Sequence, residues 1–389
     1  MGGQNSGGIQ DNNVVNFTFV HNMDNESRVA WTIICTAIMV IAAGGNLIVI
    51  WIVATNPRMR TVTNYFLLNL AVADALIATL SMPFLASYIV TQNWALGAAM
   101  CKVARFFGTV SVAASVLSLV AVSVDRYRAI VHPLLPRLSK SYIVFMIAVI
   151  WGGASIFASP LLFYSRIFSF TYVGDVTKRQ CMVVWPDGVL NQIDFTYNIT
   201  TFAVLYCLPL ATLAVCYTVI GVKLWRGDVL GEYIPNRARQ LKAKRKVVKM
   251  IVLVIAVFAV CWFPVHVYQF LAFLHDDIYM KPYAVHVYLA IWTLSMSSSM
   301  YNPFIYCWLN DRFRAGFKRV FRCLIPKSKN QNDPKGLGRR IPLTPTASSA
   351  MTTSTTTGIN RNIANGKPAL LCRTSIMGIS VVDSTEDIF

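Results

Sequence analysis

The residues of this 389-residue chain that carry chemistry are polar groups set inside apolar runs. Asp74 closes Asn69-Leu-Ala-Val-Ala-Asp74. Asp125-Arg126-Tyr127 ends a second run, and Trp262-Phe-Pro264 with His266 occupies a third. Asn302-Pro303 interrupts a fourth run, three residues before Tyr306. An acid at the middle of a hydrocarbon layer costs about 2.5–3.5 kcal/mol on insertion scales, so Asp74 needs polar company facing away from lipid. Asn46, Ser115, Ser298 and Asn302 stand at similar depths in their own runs. Two readings are open for this group: a hydrogen-bonded structural cluster, or an allosteric Na⁺ site built from hard oxygen ligands. His266 has no partner His or Cys at zinc spacing, and no Ser–His or Cys–His pair shares a depth. No transition-metal site or other cofactor is therefore expected, and no enzyme. The chemistry on offer is recognition and switching.

Seven apolar segments must position these groups, at roughly 30–54, 64–90, 99–124, 141–165, 195–225, 247–274 and 283–309. Each has about 20 residues or more, enough to cross about 30 Å of hydrocarbon as a helix. The chain is 55% hydrophobic and 13% charged, whereas soluble domains carry about a quarter of their residues as charge. The net charge of +18 would suggest nucleic acid in a soluble chain. Its distribution excludes that: about 28 of the 35 Lys and Arg fall in the loops after spans one, three and five and in the tail. The positive-inside rule then puts the N-terminus outside and the tail in the cytosol of a multi-pass plasma-membrane protein, with the basic face toward anionic lipid and a cytosolic partner.

The expected organisation is an extracellular leader over 1–28, a seven-helix domain over 29–308, an interfacial helix over 309–323 and a disordered cytoplasmic tail over 324–389. Asn16-Phe-Thr18 and Asn25-Glu-Ser27 are glycosylation sequons in the leader. Asn198-Ile-Thr200 also matches but lies too close to the membrane to favour a glycan. Most of the nine cysteines lie inside spans, where Cys acts as a small apolar residue. Cys101 and Cys181 both fall on the oxidising side and are expected to pair. Cys323 ends the basic amphipathic segment, where S-palmitoylation fits. That segment groups Phe313, Phe317, Val320 and Phe321 on one face, as in a helix lying along a membrane surface. The Thr-rich stretch over 352–357 offers kinase sites. Pro209, Pro264 and Pro303 supply hinge points, and Tyr217 and Tyr306 carry hydroxyls toward the inner half.

Taken together, Asn46, Asp74, Asp125-Arg126-Tyr127, Trp151, Pro209, Trp262-Phe-Pro264 and Asn302-Pro303-Phe-Ile-Tyr306 resemble the signature of the rhodopsin-like G-protein-coupled receptors over about residues 29–325. The resemblance implies an all-α seven-transmembrane helix bundle. It implies that Arg126 meets the G protein, that Trp262 senses the ligand, and that Asn302, Pro303 and Tyr306 switch helix seven. Gly108 stands where amine receptors carry an Asp, and Met296 where opsins carry a Schiff-base Lys. Finer strings look like the tachykinin (neurokinin) receptors: Lys244-Arg-Lys-Val-Val-Lys-Met250, Met296-Ser-Ser-Ser-Met-Tyr-Asn-Pro303, Leu309-Asn-Asp-Arg-Phe-Arg-Ala-Gly-Phe-Lys318 and Cys181-Met-Val-Val-Trp185-Pro186. That family binds short amidated peptides and couples mainly to the Gq class, raising calcium. It implies pocket roles for His266 and Tyr288. Gln269, Phe270 and Trp292 complete an aromatic, neutral polar lining in which a free carboxylate finds no cationic partner at that depth. Asp74, Ser81, Leu85 and Ala104 depart from vertebrate members and point to an invertebrate-type relative. Expected partners are an extracellular peptide, a heterotrimeric G protein, arrestin and receptor kinases at the tail, and membrane lipid. The alternatives are a neuropeptide Y-like or orexin-like receptor and, more remotely, an ion transporter using Asp74. A transporter would carry several membrane acids and inverted repeats, and neither is seen.

Overall fold

The computed structural model describes residues 14–15, 23–91, 93–136, 138–172, 176–187, 192–226, 235–275, 278, 281 and 283–324. The Asn16 sequon and the Thr-rich tail lie outside the described residues, as does the Cys323 side chain. The first span is a helix over Asn25–Thr55, started by Asp24, whose carboxylate accepts from the Ser27 amide at 2.9 Å. The second runs over Val62–Leu76, loosens into a π turn over Ile77–Ser81 and continues over Met82–Thr91. The third covers Gly97–Val131 and the fourth Lys140–Tyr164. The fifth runs over Gln192–Phe202, a π turn over Ala203–Cys207, then Leu208–Arg226. The sixth covers Pro235–Leu274 and includes the basic run at 242–246, and the seventh covers Ala284–Leu309. Asn310 adopts an extended conformation that ends the seventh span, and a short helix over Asp311–Leu324 follows.

Among the described residues, six of the seven spans are apolar enough to cross a membrane on length and hydropathy alone. The seventh falls short for a physical reason. It carries Thr293, Ser295, Ser297, Ser299 and Asn302, all buried. A helix can hold that many polar groups in lipid only when it turns them toward its neighbours. The whole bundle repeats the pattern. Asn46, Asn69, Asp74, Ser111, Ser115, Ser118 and Ser123 are buried, while Ile156, Phe163, Trp308 and Val260 stand outside, each at least two-thirds exposed. An apolar exterior on this scale suits a hydrocarbon surrounding.

Prolines set the irregularities. Pro264 and Pro303 sit inside the sixth and seventh helices, and Pro160 inside the fourth. Each removes an amide donor and crowds the carbonyl four residues back. The two π turns lie just before Pro83 and Pro209. Widening the helix by one residue relieves the same crowding without breaking the span. Gly45 lets the first span approach the seventh, since a Cβ there would lie 2.9 Å from Pro303 Cγ. Gly316 does the same for the short helix against Ile52. Phe313 and Phe317 of that helix are buried in the largest core cluster, and Phe313 lies 5.5 Å from the Tyr306 ring. Arg312, Arg314 and Lys318 stay exposed.

The connection between spans four and five adds something the helical reading did not contain. Strand β2 (Ser165–Tyr172) pairs antiparallel with β3 (Val176–Val183), and a two-residue strand β1 (Val14–Val15) pairs parallel with β2. Cys181 in β3 is bonded to Cys101 at the start of the third span, with 5.6 Å between Cα atoms. The bridge is buried beside Trp94. The amide of Trp94 donates to the Arg179 carbonyl at 2.7 Å, and the Arg179 amide to Asn93 Oδ1 at 2.7 Å.

The hairpin is thus anchored to span three by one covalent bond across 80 residues of chain. Removing native bridges of this kind typically costs about 2–5 kcal/mol. Cys101→Ala and Cys181→Ala are expected each to lower surface expression or ligand binding sharply, measured by surface labelling and radioligand saturation. Normal binding by both single variants would refute a structural role for the bridge.

Candidate functional site

The buried polar groups form three layers along the bundle axis. At the end opposite the disulfide, the third and second spans are joined by a compact charge cluster. Arg126 Nη2 donates to Asp125 Oδ2 at 2.8 Å, and the Thr63 hydroxyl donates to the same oxygen at 2.7 Å. Arg126 Nη2 also donates to Thr63 Oγ1. Adjacent helical residues diverge, so the sequence gives no reason for Asp125 and Arg126 to meet. The long guanidinium stem folds back to make the contact, and Thr63 of the second span completes it. A single Thr in an apolar run has no periodic signal, so Thr63 is not legible in the sequence. Tyr127 packs edge-on against His132 at 5.7 Å, and Ser123 Oγ lies 3.1 Å from the Tyr217 hydroxyl.

The middle layer surrounds Asp74. Ser115 donates to Asp74 Oδ1 at 2.9 Å and Asn302 Nδ2 to Oδ2 at 2.6 Å. Of the four groups expected beside Asp74, two, Ser115 and Asn302, therefore meet it. Ser298 does not touch the carboxylate; its hydroxyl accepts from Trp262 Nε1 at 3.1 Å. The sixth and seventh spans are thereby linked two residues before Pro264. Asn46 spans to the seventh helix instead, donating to the Ser299 carbonyl at 2.9 Å. Its Oδ1 and the Tyr306 hydroxyl are buried without a hydrogen-bond partner among the described residues. Buried polar atoms left so are expected to meet water or an ion. Neighbouring Asn69 accepts from Trp151 Nε1 at 2.8 Å and donates to Ser118 Oγ at 2.7 Å, which ties spans two, three and four.

The third layer opens toward the disulfide. His266 lies among aromatic rings, 4.9 Å from Tyr206, 5.1 Å from Phe202 and 6.4 Å from Trp262. Its Nδ1 has no hydrogen-bond partner among the described residues. The Tyr206 hydroxyl donates to the Ala259 carbonyl at 2.9 Å, beside the turn that Pro264 disrupts. Tyr288 stacks obliquely on Tyr268 at 6.1 Å. Trp292 packs against the cluster of Ile77, Ala78, Met82 and Met296, and Gln269 is half-buried. Phe270 does not join them. Its ring faces Phe195 of the fifth span at 6.3 Å and is half exposed, because one residue beyond Gln269 turns the side chain toward that neighbour.

One cation stands beside the disulfide rather than among the rings around His266. Arg105, one turn after Cys101, donates from Nη2 to the Cys181 carbonyl at 2.9 Å. Asp194 of the fifth span lies within its electrostatic reach, and accepts from Trp185 Nε1 at 2.8 Å. The arginine is held at the rim, and the neutral lining around His266 remains. Asn25, expected as a glycan acceptor, is the first residue of the first helix, and its Oδ1 accepts from Arg28 at 3.2 Å.

Polar layers along one axis, a sixth helix with Pro264 inside it and a bridged hairpin make up the bundle. Residues 45–306 match the 7 transmembrane receptor (rhodopsin family) over well more than half the chain. The chain belongs to the rhodopsin-like G-protein-coupled receptors. It is a multi-pass membrane receptor and not an enzyme, and the transporter alternative falls. The receptor is 41% identical over 314 residues to the tachykinin-like peptides receptor 99D of Drosophila melanogaster, covering 78% of this chain and 60% of that one. It is 43% identical over 295 residues to the Homo sapiens substance-P receptor, covering 76% and 71%. It is 44% identical over 292 residues to the Mus musculus neuromedin-K receptor, covering 75% and 63%. The expected likeness to tachykinin receptors is therefore found in the chain as a whole as well as in its motifs.

Proposed function

We propose that this receptor is activated by a short amidated peptide of tachykinin type, and that it acts through a heterotrimeric G protein of the Gq class to raise calcium. The observation that carries the ligand class is its likeness, over three quarters of the chain, to receptors named for such peptides. The lining agrees. His266, Tyr268, Tyr288 and Trp292 offer aromatic faces and neutral donors, which suit aliphatic and aromatic side chains and a terminal amide. Arg105 is engaged by the Cys181 carbonyl and lies near Asp194, so it offers a peptide carboxylate only a shared charge. The N-terminus is assigned to the outside and the basic face to the cytosol, as charge distribution requires. Arrestin and receptor kinases at the Ser/Thr-rich tail, anionic lipid along the short helix, glycosylation and palmitoylation at Cys323 complete the proposal.

In this scheme Arg126 belongs to transmission. Its contacts with Asp125 and Thr63 hold it inside the bundle, at the end remote from the ligand. Asp74, Ser115 and Asn302 have the hard oxygen chemistry that suits Na⁺, with Ser298 one residue layer away on Trp262. An ion held only by the resting bundle would stabilise it and weaken agonist binding.

Three outcomes are expected. Tachykinin-type amides should evoke calcium release in transfected cells, with free-acid forms at least ten times weaker, about 1.4 kcal/mol. Equal potency of acid and amide would sink this view of the pocket. Arg126→Ala should keep antagonist binding and lose calcium signalling at matched surface expression; undiminished signalling would remove the arginine from transmission. Agonist affinity should be lower in sodium than in an organic cation at equal ionic strength, and Asp74→Asn should abolish the difference. If wild type shows no difference, the cluster around Asp74 is structural alone.

A further inference from the structure

At the end remote from the disulfide the sixth span is a row of cations. Residues 235–250 carry seven Lys and Arg and no acid. Their neighbours there are basic too, with Arg126, Arg128, Lys140 and Lys223. Like charges push such a helix end away from the bundle. Pro264 lies inside the same helix and takes one hydrogen bond out of its ladder, so the segment before it can turn on that point. The contacts that hold this segment therefore set where it rests.

Among the described residues two acids stand at this end, Asp125 and Asp311. Asp125 is engaged by Arg126 and Thr63. Asp311 meets the sixth span: Lys246 Nζ lies 3.0 Å from each of its carboxylate oxygens, and Arg314 of the short helix joins them. The Lys246 hydrogen bond holds the Asp311 carboxyl below the usual carboxylate range, so the acid stays ionised. Its mount is firm. Asn310 Oδ1 accepts from the Arg312 amide at 3.1 Å, Phe313 and Phe317 are buried in the largest core cluster, and Gly316 lies against Ile52 of the first span. Lys246 thus ties a segment that can turn to one that is packed in place. The other cross-span bonds here run elsewhere. Arg245 Nη2 donates to the Leu224 carbonyl at 2.8 Å and Lys223 Nζ to the Val131 carbonyl at 2.5 Å, each near the end of a neighbouring span.

The Lys246 and Asp311 side chains are 38% and 63% exposed. An ion pair in that setting shifts an equilibrium by about fivefold at most. This is too little to hold a fold together, and it is the right scale to bias two arrangements of one helix end.

We propose that the Lys246–Asp311 pair is a latch of the resting receptor, by which the short helix holds the end of the sixth span inward, and that its opening helps admit the G protein. The proposal rests on the G-protein reading above. No peptide contact is involved, so removing the latch acts without ligand.

Two measurements on the full-length receptor decide it. The first is nucleotide exchange on added G protein, in membranes without peptide and at matched receptor levels. Asp311→Asn and Lys246→Gln should each raise the rate about twofold to fivefold. The double variant should be no faster than the faster single one, because both changes remove one tie. Lys246→Arg keeps the pair and should match wild type. The second is energy transfer between fluorescent non-natural amino acids at Lys140 and Lys242, in purified receptor in lipid nanodiscs without peptide or G protein. Asp311→Asn and Lys246→Gln should each lower the transfer, and Lys246→Arg should not. Unchanged transfer in both single variants overturns the latch, and exchange at or below the wild-type rate would then make Asp311 a surface charge or a contact for the G protein. Additive gains in the double variant overturn the pairing. Lower transfer without faster exchange overturns the role in admitting the G protein. Should tachykinin-type amides fail to activate wild type, the ligand assignment falls by itself, and the transfer measurement still decides the latch.

Discussion

A polar group surrounded by hydrocarbon has no partner except another part of the same protein. Everything else in this bundle follows from that constraint. Asp74 is placed where lipid would make it most expensive, and the bundle answers with Ser115 from the third span and Asn302 from the seventh. Asn69 answers Trp151 and Ser118, and Asn46 answers the Ser299 carbonyl. These bonds bring five spans into one register. Apolar packing alone could not do this in lipid, where the chains outside are as apolar as the helices.

The same constraint makes the structure adjustable. The Pro264 kink loosens the sixth helix at the point where Trp262 reaches Ser298, and Asn302-Pro303 loosens the seventh beside Asp74. The hydrogen bonds that locate the helices thus lie next to their weakest turns. A ligand that moves the rings around His266 acts on Trp262 through direct packing, and Trp262 acts on the seventh span through one hydrogen bond. At the far end Arg126 is restrained by Thr63 and Asp125. Motion between such restraints is a choice between discrete arrangements, because close-packed interiors do not deform smoothly.

At the disulfide end the chain solves a different problem. The backbone there leaves the helices and must find hydrogen bonds elsewhere. The hairpin supplies them internally, the Cys101–Cys181 bond fixes it to span three, and Arg105 adds a charged bond to the Cys181 carbonyl. The opposite edge of β2 meets a short strand of the leader.

The sequence by itself determined the seven spans, the short amphipathic helix, the Cys101–Cys181 pairing and the shared depth of Asp74, Ser115 and Asn302. All of these are set by local hydropathy, by spacing along a helix or by the side of the membrane on which a residue falls. Residue spacing also placed Trp262 and His266, four residues apart and flanking Pro264, on one helix face. Spacing could not say which neighbour each side chain would meet. Ser298 was grouped with Asp74 by depth, yet its helix is rotated so that it meets Trp262. Phe270 was grouped with His266 by proximity in the chain, yet it faces Phe195. Thr63, Arg105 and the strand at Val14–Val15 carry no local signal, since their partners lie 62, 76 and about 155 residues away along the chain. Helix rotation, the π turns and the pairing of strand edges come from how seven helices pack at once, so only the tertiary structure decided them.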